Sequence, residues 1–253
     1  LGAEHCATGA LIVYTSADSV LQIAAHEQIV PLAELYRICA IARELCAGPW
    51  AVSRVIARPF IGGPGQWVRT GNRRDFSLAP VGDTLLDRLA TAGVARRGIG
   101  KVDDLFAGRG ITSIHTATND AAYRLLGEAI RDAGTGLVFA NVIEFDQTWG
   151  HRNDVTGFLA GLEELDRFLP RFLEAAQPDD LIIFTADHGN DPTTPSTDHS
   201  RERVPILCYG PKVRSVALGE RATFADVGQT VAEFLGVEPV AAGQSFLREI
   251  WSG

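Results

Sequence analysis

The sequence predicts an α/β fold, and three observations carry that reading. From residue 80 onward, apolar strand-like runs alternate with amphipathic helical stretches, the pattern of a mostly parallel sheet covered on both faces. Two of those runs lead to an acid and a histidine: Leu181-Ile182-Ile183-Phe184 to Asp187-His188-Gly189, and Leu137-Val138-Phe139-Ala140 with Val142-Ile143 to Asp146 and His151. The composition, 46% hydrophobic and 21% charged over 253 residues, is that of a globular chain long enough to bury a substantial core in one or two domains.

Taken in order, LIVYT at residues 11–15 has the β-branched character of a short strand. Ser16-Ala17-Asp18-Ser19 reads as a turn and helix cap opening a helix over VLQIAAHEQI, and a capped helix start offers free backbone N–H groups to a phosphate. His26, inside that stretch, reads as structural. Pro31 opens a second helix over LAELYRICAIAREL, whose stripe places Cys39 in a core with Cys46 one pair of turns on. WAVSRVIARPFI, residues 50–61, reads as one strand with Arg54 and Arg58 interleaved. The loop after it is dense in Arg69, Asn72, Arg73 and Arg74; such arginines are as a rule solvated, and beside a sugar-phosphate site they become bidentate phosphate ligands.

Pro80-Val81-Gly82 marks a boundary. Beyond it come a capped helix over TLLDRLATAG and a strand, VARRGIG, that ends at Lys101, either a surface lysine or a phosphate ligand. A helix capped by Asn119 precedes the strand before Asp146. A long helix from about Asp154 follows, with a kink expected at Pro170. The strand before Asp187, another over VPILCYG and a last helix from Phe224 to near Gly236 complete the reading.

A net charge of −8 with no extended basic run argues against nucleic acid or anionic membrane as the main partner. No apolar stretch approaches the ~20 residues that span a bilayer, and the amino terminus shows no signal-peptide pattern. Cys6, Cys39, Cys46 and Cys208 lack CxxC or disulfide-framework spacing, as expected of reduced thiols in a cytoplasmic protein. The chain begins at Leu1 and contains no Met, so the translated start is expected upstream, and the chain reads as a fragment.

The stretch with most chemistry is FTADHGNDPTTPSTDHSRERVP, from Phe184 to Pro205, which holds Asp187-His188 and then Asp198-His199. Ligands of open α/β sheets bind outside the carboxyl ends of the strands, where Asp187 and His188 are expected. Carboxylate and imidazole together suit Zn²⁺ or Mn²⁺ better than Ca²⁺. An isolated Asp-His-Gly is equally well a polar turn after a strand. Three of the six histidines beside acids after apolar runs, His151, His188 and His199, favour a metal cluster.

The TADHG, TDH and RE block, the FD…GHR block, and the runs IVYTSADSVLQIAAHE and RVIARPF together resemble the phosphopentomutase family, a two-manganese branch of the alkaline phosphatase superfamily. The resemblance covers nearly the whole chain. It implies an alkaline phosphatase-like core over residues 79–253, with a mostly parallel sheet between helices, and a partial α/β cap domain over residues 1–78. It implies an isomerase that interconverts ribose or deoxyribose 1-phosphate and 5-phosphate and acts as a monomer on pentose phosphates. Asp146, His151 and His199 would hold one Mn²⁺, and Asp187 and His188 the second; Ser16, Val20, Arg54, Ile56 and Lys101 would contact the substrate. Asp198 is expected to orient its loop rather than to bind metal. The family's phosphorylated threonine and a further metal-binding Asp match nothing here. No catalytic nucleophile is therefore assigned within the chain, both residues are expected upstream, and the chain alone is expected to be inactive. Glu144, Trp149 and Asn153 depart from the commoner pattern. Two other readings stay open: a cofactor-independent phosphoglycerate mutase, and a non-catalytic metal-binding fragment.

Overall fold

The computed structural model describes residues 1–16, 19–132 and 134–252. They divide into two units, Leu1–Pro80 with Asp104–Ala107, and Val81–Asp103 with Gly108–Gly253.

The first unit contains α1 (Gly2–Thr8), β1 (Ile12–Ser16), β2 (Val20–His26), α2 (Leu32–Leu45), a 3₁₀ turn (Gly48–Trp50), β3 (Arg54–Ile61), β4 (Val68–Arg69) and β5 (Arg74–Ser77). β2 pairs antiparallel with β1 and parallel with β3, which in turn takes β4 and β5 as antiparallel partners. The helix expected over VLQIAAHEQI is therefore a strand, the second of the sheet. With both faces covered it needs an apolar run rather than an alternation, and such a run does not distinguish strand from helix. No helix N-terminus is left there to receive a phosphate, because the backbone of Val20–His26 is used in the ladders. The turn expected at Ser16–Ser19 is in part outside the described residues, at Ala17 and Asp18. Ser19 itself has φ 56°, and its carbonyl accepts from both the backbone N–H and the hydroxyl of Ser53 at 2.8 Å.

Ile23, Ala25, Val55 and Ala57 from one sheet face pack with Leu35 and Cys39 of α2 in a core closed to solvent. The opposite end is held by two histidines. His5, 1% exposed, donates from Nδ1 to the Ala10 carbonyl at 2.7 Å and accepts the His26 backbone N–H at Nε2 at 2.8 Å. His26 accepts from the Gln28 N–H at 3.2 Å and donates to the Gly62 carbonyl at 3.1 Å, with its ring edge-on to those of Phe60 and Trp67. The expected structural role of His26 holds, in a strand rather than a helix. The arginine-rich loop is not a free loop: Arg73 grips Asp75 with two bonds of 2.6 Å, and the Arg74 guanidinium lies over Tyr36 and Phe76.

The second unit contains α3 (Leu85–Thr91), β6 (Ala95–Ile99), α4 (Val102–Leu105, shared at its end with the first unit), β7 (Ser113–Ile114), α5 (Asn119–Asp132) and β8 (Gly136–Ala140). A π-helical turn (Phe145–Trp149), a 3₁₀ turn (Gly150–Arg152), α6 (Val155–Ala175), β9 (Ile182–Phe184), β10 (Leu207–Tyr209), α7 (Ala225–Phe234) and α8 (Leu247–Ile250) follow. Helix α3 starts at a reciprocal capping box between Thr84 and Asp87. The expected parallel sheet is present as β7-β6-β8, whereas β9 and β10 form an antiparallel pair of their own. Tyr123 of α5 packs on Phe168 and Phe172 of α6, and α6 runs through Pro170 to Ala175. No helix among the described residues is long and apolar enough to cross a membrane.

Candidate metal centre

Three short segments of the second unit meet at Asp146. The first is the π-helical turn that follows β8, so Asp146 is not at the strand end itself but on the turn beyond it. Glu144, just before the turn, accepts the Asn119 N–H at 2.6 Å, while its own N–H donates to Asn119 Oδ1 at 3.1 Å. That exchange fixes the turn to the start of α5. The other side is wedged by Trp149, whose ring lies on Gly157 and Gly161 of α6. A Cβ at either glycine would come within 2.4 Å or 2.3 Å of the indole.

The second segment is the 3₁₀ turn carrying His151, and the third runs from Asp187 to Ser200. An isolated antiparallel bridge between Gly189 and Ser200 closes the third segment and sets His188 beside His199. Their rings stack at 3.7 Å and 19°, and the His199 ring also stacks on His151 at 4.9 Å. His199 Nε2 lies 3.1 Å and His151 Nε2 3.3 Å from Asp146 Oδ1. Asp146, His188 and His199 each offer a ligand atom within 4.8 Å of the others. The Asp187 side chain is 64% exposed, with Oδ1 3.7 Å from His188 Nε2. Asp198 is exposed and is not a member of that three-residue group.

The chemistry of this donor set fits a divalent cation. His151 Nδ1 lies 2.5 Å from the Thr197 carbonyl, which can only accept, so Nδ1 carries a proton and Nε2 is the ring nitrogen that a metal would take. Nε2 of both His151 and His199 faces the same oxygen, Asp146 Oδ1. His188 is held in the same sense, with Nδ1 at 3.2 Å from the Gly189 carbonyl. Backbone carbonyls that fix the far nitrogen of an imidazole, leaving the near one bare, are the usual support of a metal-binding histidine. Imidazole nitrogens converging with a carboxylate oxygen match a cation of intermediate hardness.

The residues expected at the substrate fall in both units. Ser16, Val20 and Arg54 stand in register across β1, β2 and β3, with Ile56 two positions further along β3. The side chains of Val20 and Ile56 are buried in the sheet, whereas Ser16 is exposed and Arg54 reaches Asp75 at 3.8 Å. Lys101 follows β6 in the second unit and donates to Gln147, the neighbour of Asp146, at 3.3 Å.

Sequence reasoning passed over two side chains. Asn190 donates to Asp146 Oδ1 at 2.8 Å. Asn153, in the left-handed region at φ 52°, donates to the carbonyls of Thr194 and Ser196 and so brings Thr197 to His151. The one signal available for Asn153 was its departure from the commoner family pattern.

The model of the metalloenzyme superfamily matches residues 94–239. Curated phosphopentomutases of Caldanaerobacter subterraneus subsp. tengcongensis, Clostridium novyi and Carboxydothermus hydrogenoformans are 54%, 52% and 53% identical to the chain, each over 99% of it. The chain spans 64%, 65% and 65% of their respective lengths. Among solved structures, a phosphoglycerate mutase of Leishmania mexicana superposes with a TM-score of 0.52 at 20% identity, covering 67% of this chain and 39% of that one, which is a likeness of fold.

Proposed function

The chain belongs to the metalloenzyme superfamily, and from that premise we propose that it is the greater part of a phosphopentomutase, an isomerase that interconverts (deoxy)ribose 1-phosphate and (deoxy)ribose 5-phosphate. The observation that carries the proposal is the reach of the identity. The superfamily model stops within the second unit, but the phosphopentomutases match at 52–54% over 99% of the chain, the first unit included. A relationship through the shared core alone would fade in the first unit. Residues 1–78 are then a partial cap and residues 79–253 the metal-binding core.

In this reading Asp146, His151 and His199 hold one cation and Asp187 and His188 contribute to a second, with Mn²⁺ as the metal. Bound there, such a pair of cations would stabilise charge on the attacking and leaving oxygens of an in-line phosphoryl displacement. The chain's own residues prepare that chemistry. The Thr197 and Gly189 carbonyls fix the His151 and His188 tautomers, so lone pairs rather than N–H bonds face the cations. Within the second unit Lys101, beside the metal-bearing turn, is a point charge suited to a substrate phosphate; within the first, Ser16 and Arg54 are donors suited to the substrate. The His188 ring lies against His199 at 3.7 Å, so the residues that would hold the two cations are neighbours. Four free cysteines accord with a cytoplasmic enzyme, and we take it to be a monomer.

The test is a coupled assay, with Mn²⁺, of a protein of the relatives' full length offered ribose 1-phosphate and 3-phosphoglycerate separately. Turnover of the pentose phosphate alone is the expected result. Turnover of 3-phosphoglycerate would make it a phosphoglycerate mutase, and metal binding without turnover of either would make it a non-catalytic metal-binding protein.

A further inference from the structure

We propose that Gly150 and Asn190 form a positioning pair for Asp146, the glycine being present to admit the asparagine amide and the amide setting how Asp146 presents its carboxylate to a divalent cation. The inference rests on the metal-centre reading above and deepens it.

Gly150 has φ −59° and ψ −59°, helical backbone that every L residue adopts, so no conformational demand explains a glycine there. Space does. A Cβ at Gly150 would lie 2.3 Å from Nδ2, 2.4 Å from Cγ and 2.6 Å from Oδ1 of Asn190, so the whole carboxamide rests on the bare Cα. From that seat Nδ2 donates to Asp146 Oδ1 at 2.8 Å. This oxygen is the one approached by His151 and His199.

A neutral amide is suited to the task. It restrains the carboxylate with a directional bond and adds no positive charge to compete with a cation, as lysine or arginine in the same place would. Asn190 also lies two residues beyond His188, within the segment closed by the Gly189–Ser200 bridge. Its bond to Asp146 therefore ties the His188 turn to the Asp146 turn directly, through one hydrogen bond rather than through the body of the unit.

The experiment is a titration of the 253-residue chain with Co²⁺ alone, followed by its visible absorption, for the parent chain, Gly150→Ala, Asn190→Ala, the double variant and Asn190→Leu, with His199→Ala as reference. Loss of a partner that orients a metal ligand weakens affinity by about 10–100-fold, and that is expected for each alanine variant, with an altered Co²⁺ band. In the Asn190→Ala background, Gly150→Ala should change affinity by less than about twofold, since the group its Cβ displaces is gone. Asn190→Leu fills nearly the same volume without a donor, so it should bind as weakly as Asn190→Ala and melt at the temperature of the parent chain. Affinities within about twofold of the parent in the single variants, full additivity in the double, or rescue by leucine would each overturn the inference and leave the centre standing. A parent chain that takes up no Co²⁺, or takes it up equally after His199→Ala, would overturn the centre itself.

Discussion

Where the sheet of the first unit faces α2, Ala25, Leu35, Cys39, Val55 and Ala57 are all at 0% exposure, and five strands share one continuous ladder. β9, from which Asp187 and His188 issue, has no fully buried residue and a single partner strand. Order in the first region comes from close packing, which resists small displacements in every direction. In the second it comes from a few directional bonds: Asn153 to two carbonyls, Asn190 to Asp146, Glu144 to Asn119. The contrast teaches that the two regions should fail differently, one by loss of stability and the other by loss of ligand geometry at nearly unchanged stability.

The strongest way to break the comparison is Leu35→Ala. With the side chain fully buried in a closed core, the loss should be about 2–5 kcal/mol in urea unfolding, while the Co²⁺ affinity of molecules that remain folded stays within about twofold. A metal site that collapsed with it would show that the two regions are not independent. Asn153→Ala should do the converse. Removing the donor to the Thr194 and Ser196 carbonyls leaves His151 without a fixed Thr197 partner, so cation affinity should fall about 10-fold at a stability cost of about 1 kcal/mol. Equal losses in both measurements would blur the distinction.

A smaller effect is expected at the capping box of α3. Burial raises the Asp87 carboxyl, but bonds from the Thr84 N–H and hydroxyl and from Arg109 outweigh it and hold the group below the usual carboxylate range. A group depressed in the folded state adds stability above its unfolded value and loses it as pH falls through its folded value. Asp87→Asn should therefore cost about 0.5–1.5 kcal/mol at neutral pH, and the difference from the parent chain should shrink as acid unfolding is followed below the ordinary carboxyl range. A difference that persisted or grew in acid would contradict that assignment. The smallest effect concerns two thiols. Burial pushes Cys39 and Cys208 up to about 11, so at pH 8 only about a thousandth of either is thiolate. Both should stay unmodified by iodoacetamide until urea unfolds their own unit, and prompt alkylation of Cys39 below the urea transition would show that the packed core opens more readily than the site.

The legibility of the sequence follows the same division. Helices α2, α3, α5 and α6 were readable because a stripe or a cap announces itself within a few residues, and the acid and histidine candidates because they follow apolar runs. The strand β2 defies the reading because its two-sided burial erases the period of two, and β5 because the aromatic partners of Arg74 and the Asp75 partner of the preceding Arg73 give no local pattern. Asn190 and Asn153 eluded the reading for another reason. Their partners lie more than 40 residues away, and a polar residue after a turn carries no mark of the carbonyl or carboxylate it will meet. Gly150 is the extreme case, since its role is the volume it leaves for another side chain.

The glycine groove under Trp149 carries a thermodynamic consequence. Gly157 and Gly161 each weaken the first half of α6 by about 1 kcal/mol relative to alanine, and the indole lying across them offsets that weakness by covering exposed backbone. The start of α6 and the turn bearing Asp146 are therefore coupled in local opening: amide protons of the one should exchange through the same fluctuation that disorders the other. A cation held at a hundred times its dissociation constant would suppress that opening by about 2.7 kcal/mol. Slowed hydrogen exchange along residues 155–161 would then register occupancy of the centre from within a helix that carries none of its candidate ligands.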